Sequence, residues 1–157
     1  MKEFSDIGQF IAHLATMAAA ETVALHHGLE KCAVAIEKTA KSEIGYYQPQ
    51  VGYFAAWDPL APETLKHHEY MGVGDSPLIV TGELYASLDH KTAELEAVIG
   101  STSDIMVYQE LGTEKIPPRA VLGPAAIRNE SLIIKTLGQA AAEGLLYGAA
   151  SSQVKLK

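Results

Sequence analysis

The chain has 157 residues, 48% apolar and 20% charged, enough to bury a core without disulfides or metal and too apolar for global disorder. Its formal charge is −7, with 5 basic against 10 acidic side chains in residues 1–78 and 7 against 9 in residues 79–157. Neither half therefore offers the basic surface that phosphate-driven nucleic-acid binding needs. The lone Cys32 excludes an internal disulfide and is compatible with a reducing compartment.

Residues 7–20 are apolar, but Glu3, Asp6 and His13 interrupt the basic start and apolar run of an export signal, so the segment reads as helix. No run approaches the roughly 18 uninterrupted apolar residues of a membrane span, and the chain is expected to be soluble. From Ser5 to about Glu43, Ile7, Phe10, Ile11, Leu14, Met17, Ala18, Leu25, Leu29, Cys32, Ile36 and Ala40 recur at spacings of three and four, marking one helical face. Ser5 is the expected N-cap, Asp6 suits the first turn and Gly45 closes the element. Unbroken, this helix runs on the order of 57 Å and overhangs a domain about 40 Å across; a break at Gly28 is the alternative.

Residues 45–59 read as an aromatic-rich loop anchored by Trp57, and Pro62 to Tyr70 as a short helix opening on proline. Residues 71–77 form a connector, and a further short helix around Gly82 takes its cap from Thr81 or Ser76. Ser87 to Gly100 predicts a β-hairpin, with Leu88, His90 and Thr92 on one side and Leu95, Ala97 and Ile99 returning. Ser101-Thr102-Ser103 caps a helix from Asp104 to Leu111 that Gly112 ends. A Pro117-Pro118-Arg119 strap follows, and Pro124 opens a C-terminal helix to about Tyr147, with Ile127, Leu132, Ile133, Leu137, Ala141 and Leu145 inward. The expectation is an α+β fold: a long N-terminal helix, a small antiparallel β-element with short helices, and a C-terminal helix. Residues 1–150 form a single domain and 151–157 a flexible tail.

The chemistry-bearing residues give little. Adjacent histidines on a helix point about 100° apart, so neither His26-His27 nor His67-His68 has the i, i+3 or i+4 spacing of a chelating pair. Met71-Gly72-Val73-Gly74-Asp75-Ser76 lacks the lysine of a phosphate loop, no Gly-x-Ser-x-Gly occurs, and Cys32 lies on the apolar helical face. No catalytic residue, cofactor or metal is expected. The two arginines, Arg119 and Arg128, both fall in or just after the Tyr108–Ala126 segment.

The order Trp57-x-x-Leu60, Pro77-Leu78, Thr81-Gly82-Glu83-Leu84 with Ser87, Val98-Ile99-Gly100-Ser101, Tyr108-Gln109-Glu110-Leu111-Gly112-Thr113, Ile116-Pro117-Pro118-Arg119 and Pro124-Ala125 resembles a family of tailed-phage morphogenesis proteins. These are the small neck and tail-completion proteins of long-tailed phages and prophages, and the resemblance covers roughly residues 1–130. Tyr85 stands where the family usually has a basic residue, and Arg119-Ala120-Val121 where it usually has Arg-Pro-Phe. The resemblance implies a non-catalytic virion protein of the head–tail junction, forming a homo-oligomeric ring, a hexamer, with neighbouring neck and tail-tube proteins as partners. It implies assembly in the host cytoplasm and DNA passing through an acidic lumen without sequence-specific binding. A tail terminator capping the tube, a prophage-derived adaptor and a small metal-dependent hydrolase using the histidine doublets are the alternatives. Subunit contacts are expected from Arg119, Pro117, Pro118, Tyr108 and Glu110 in the strap and from Leu14, Met17 and Leu25 on the long helix. Arg119 is the sharpest of these, as an interface or strap-locking residue bonding carboxylates or carbonyls through its fork.

Overall fold

The computed structural model describes residues 6–151, and the side chains of 6–146. The cap expected at Ser5 and the tail at 152–157 lie outside the described residues. The fold is α+β: α1 (Ile7–Glu43), α2 (Pro62–Tyr70), α3 (Glu83–Ala86), the antiparallel hairpin β1 (Leu88–Ala93) and β2 (Glu96–Ser101), α4 (Asp104–Leu111), α5 (Leu122–Arg128) and α6 (Glu130–Ser151). Two compact units emerge, one within Met1–Cys32, Thr92–Ala97 and Ser131–Lys157, the other within Ala33–Lys91 and Val98–Glu130.

The 37-residue α1 is unbroken, roughly 55 Å of helix at 1.5 Å per residue. Asp6 caps it, its Oδ1 accepting from the Gln9 N–H at 2.9 Å. Gly28 does not break it, because in the first unit that glycine serves packing against α6. A Cβ at Gly28 would stand 3.1 Å from the Ala140 Cβ, and one at Gly144 would stand 2.5 Å from the Glu21 Cα. The two helices approach through small residues, which offsets the roughly 1 kcal/mol that a mid-helix glycine costs. Ala140 and Gly144 are buried on α6, whereas Leu132 and Leu145, expected inward, are exposed. The Cys32 thiol, buried on α1, is pushed up in pKa first by burial, as befits a small core hydrophobe.

In the second unit the core gathers Ala33, Ile36, Ala40 and Ile44 with Trp57, Leu60, Leu84, Leu88, Met106, Val121 and Ala125, all buried. Trp57 anchors its loop as expected, its indole N–H donating to the Ala120 carbonyl at 3.1 Å. Helix α2 starts at Pro62 after Ala61. Helix α3 has Gly82, with φ +83°, as its N-cap residue, and the Thr81 hydroxyl just before it accepts from the Glu83 N–H at 3.4 Å, so of Thr81 and Ser76 it is Thr81 that serves the helix start. On the hairpin Leu88, His90 and Thr92 alternate inward and Ala97 and Ile99 return, while Leu95 sits exposed at the turn. The single C-terminal helix expected from Pro124 is two helices. Asn129 interrupts it, its Nδ2 donating to the Thr39 Oγ1 and to the Ala125 carbonyl, both at 2.8 Å. A side chain committed to that tertiary bond and to its own turn competes with helix continuation.

Candidate functional site

The strap after α4 is built from its ends inward. Ser103 caps α4 by accepting from the Ile105 N–H at 3.3 Å, and Gly112 ends it, its N–H donating to the Tyr108 carbonyl at 2.9 Å. Gly112 has φ +73°, and a Cβ there would lie 3.0 Å from the Pro118 nitrogen, so conformation and space both demand glycine. Thr113 and Ile116 exchange backbone bonds across a tight turn, and the Thr113 hydroxyl accepts from the Lys115 and Ile116 N–H groups.

The Glu110 carboxylate holds the far end. Its Oε2 accepts from the Val121 and Leu122 N–H groups at 2.7 and 3.0 Å, and its Oε1 from the Gly123 N–H at 2.9 Å. A side chain eleven to thirteen residues upstream thus caps α5, satisfying three orphan helix donors with a charge of the favourable sign. Arg119 lies between, buried, its Nη2 donating to the Asp58 and Pro59 carbonyls at 3.0 and 3.2 Å and its backbone N–H to the Gln109 carbonyl at 2.6 Å. Of the two roles expected for Arg119, strap locking on carbonyls is what its bonds do within this unit. Gly123 completes the closure under Phe54, whose ring carbon Cζ would be 2.1 Å from a Cβ at that position. Beside the strap opens a largely apolar cleft of about 450 Å³, with Leu60, Leu78, Ile105, Ile116 and Pro117 among its walls.

A second buried charge lies at the end of α1. Glu43 is 1% exposed, and its Oε1 accepts from the Arg128 Nη1 at 2.5 Å while its Oε2 is buried without a bond. Burial pushes the Glu43 carboxyl up to about 7, with the Glu110 charge adding and Arg128 opposing. Arg128 also donates to the Gln48 Oε1 at 2.9 Å, tying α5 to the aromatic loop.

The expected contact residues divide sharply. Arg119 is buried and Glu110 is half-buried and fully engaged, whereas Tyr108, Pro117 and Pro118 lie exposed on the strap side. On α1, Leu14 is exposed and Met17 and Leu25 are half-buried. Leu14 belongs to a longer bare run in which Ile7 is 72% and Ile11 59% exposed. Neither histidine doublet enters a group of three or more possible metal ligands among the described residues; His26 Nδ1 lies 3.3 Å from the Glu94 carbonyl and His68 Nδ1 3.2 Å from that of Gly74. The group that does form is Glu37, Asp89 and His90, which sequence spacing alone does not reveal because Glu37 lies about fifty residues from the other two. Comparison with protein-family models, curated proteins and solved structures finds no match.

Proposed function

We propose that the chain is a structural protein of the tailed-phage neck, completing the tail and joining it to the head as one subunit of a homo-oligomeric, hexameric ring. The observation that carries this reading is the bare start of α1. From Ile7 to Glu30 the helix has no lysine or arginine and only two carboxylates, Glu21 and Glu30, yet Ile7, Ile11 and Leu14 stand in solvent. A helix finished for water carries charge on its open face, and a contiguous apolar patch of this kind belongs to an interface. Repeated head to tail, such a contact closes a ring. The strap supports the same reading: a segment held by Glu110, Arg119 and Gly123 presents Tyr108, Pro117 and Pro118 on a rigid base, which lowers the ordering cost of docking. The order of motifs from Trp57 to Ala125 supplies the virion context, and the acidic balance suits a lumen that lets DNA slide.

The test is direct. Tailed particles released from the cell carrying this gene should contain the chain in a fixed ratio to their neck proteins, measured by quantitative mass spectrometry. Cells expressing only Leu14→Asp should accumulate full heads and unjoined tails. Particles lacking the chain, or joined normally by Leu14→Asp, would sink the proposal.

A further inference from the structure

We propose that Glu37, Asp89 and His90 form a binding site for a divalent transition-metal cation of the zinc type. Glu37 comes from α1, and Asp89 and His90 are consecutive residues of β1. One ligand atom from each lies within 4.8 Å of the other two. That places an imidazole nitrogen and two carboxylate oxygens around one point, a donor set that suits zinc and its neighbours and not calcium, which prefers oxygen alone.

The convergence is not a default of strand geometry. Successive side chains on a strand point to opposite faces, so Asp89 and His90 should diverge. Asp89 instead folds back along its own backbone, its Oδ1 accepting from the His90 N–H at 2.9 Å, and so comes to the side where His90 meets Glu37. His90 faces the Glu37 Oε2 through Nδ1, at hydrogen-bond contact, which makes Nδ1 the ligating nitrogen. The other Glu37 oxygen, Oε1, accepts from the Lys41 Nζ at 2.5 Å. Lys41 thereby orients the ligand, as outer partners of metal-binding carboxylates do, and also competes for it as a monovalent cation. Glu37 and Lys41 line an open groove of about 510 Å³, and Asp89 is exposed, so solvent is at hand for the remaining coordination position.

The proposal does not depend on the neck assignment, because its measurement uses the isolated chain. Zinc chloride titrated into the purified full-length protein, followed by calorimetry, should show one equivalent bound with micromolar affinity. His90→Ala and Asp89→Asn should each weaken binding at least tenfold; Asp89 is exposed, so its substitution tests the site without touching the core. Lys41→Met, which removes the competing ammonium, should tighten binding several-fold, and His67→Ala with His68→Ala should leave it unchanged. No zinc bound by the unaltered chain, or affinity shifted less than threefold by both His90→Ala and Asp89→Asn, overturns the site. An unchanged affinity in Lys41→Met overturns the role given to Lys41.

Discussion

The strap and the first half of α1 are opposite solutions to placing a surface. The strap is tied down within its own unit by many polar bonds: three N–H groups on Glu110, two carbonyls on Arg119, one on Trp57. The first half of α1 carries few charges, and Ile7, Ile11 and Leu14 remain in water. The difference teaches where stability and association reside. Bonds in the strap hold the fold before any partner arrives, whereas Ile7, Ile11 and Leu14 contribute little to the isolated chain.

Glu110→Ala should break that contrast most severely. It strands three part-buried N–H groups at the start of α5 and should cost on the order of 3 kcal/mol in urea unfolding, with the loss concentrated in the second unit. Next is the pH dependence of Glu43. Its folded pKa of about 7 lies above the ordinary 4.5, so the folded state binds the proton more tightly. The stabilisation is full below pH 4.5 and is lost as pH rises through 7, a change of about 3 kcal/mol at most. Unfolding midpoints between pH 5 and 8 should fall for the unaltered chain and stay level for Glu43→Gln. Arg119→Lys keeps the charge, but its shorter side chain must replace the Nη2 that donates to both the Asp58 and Pro59 carbonyls, and it should cost about 1–2 kcal/mol with the fold retained by circular dichroism. The smallest effect on stability sharpens the comparison most. Ile11→Asp should move the unfolding free energy of the isolated chain by no more than about 0.5 kcal/mol, yet abolish self-association in sedimentation at high concentration.

What could be read from the sequence was what neighbours along the chain decide. The period of α1, Pro62 at the start of α2, Gly112 at the end of α4 and the alternation of Leu88, His90 and Thr92 are local signals, and the structure carries all four. The misses are long-range. Gly28 looked like a possible breaker because its reason, Ala140, is 112 positions away. Asn129 splits α5 from α6 through Thr39, 90 positions away, although an asparagine inside an apolar helical pattern was itself a hint. Of the inward face expected for α6, Ile133, Leu137 and Ala141 are half-buried and Leu137 lies near Gly28, whereas Leu132 and Leu145 are exposed and the closest approaches are made at Ala140 and Gly144. A period of 3.6 locates a face but does not tell which side of it is pressed closest. Of the strap, the chain punctuation was legible and Arg119 stood out. The capping role of Glu110 was not, since nothing local marks a glutamate whose partners begin eleven residues later.

The two close approaches along α1 and α6 have a mechanical consequence. Glu21 meets Gly144 and Gly28 meets Ala140, so the helices run antiparallel and touch at two notches cut by missing side chains. Sliding α6 by a single residue would carry Leu145 or Glu143 into the notch that Gly144 leaves for Glu21, and neither fits without prying the helices apart. The pair therefore behaves as a toothed rack with one meshed position: a pull on the end of α6 is passed to α1 without slip.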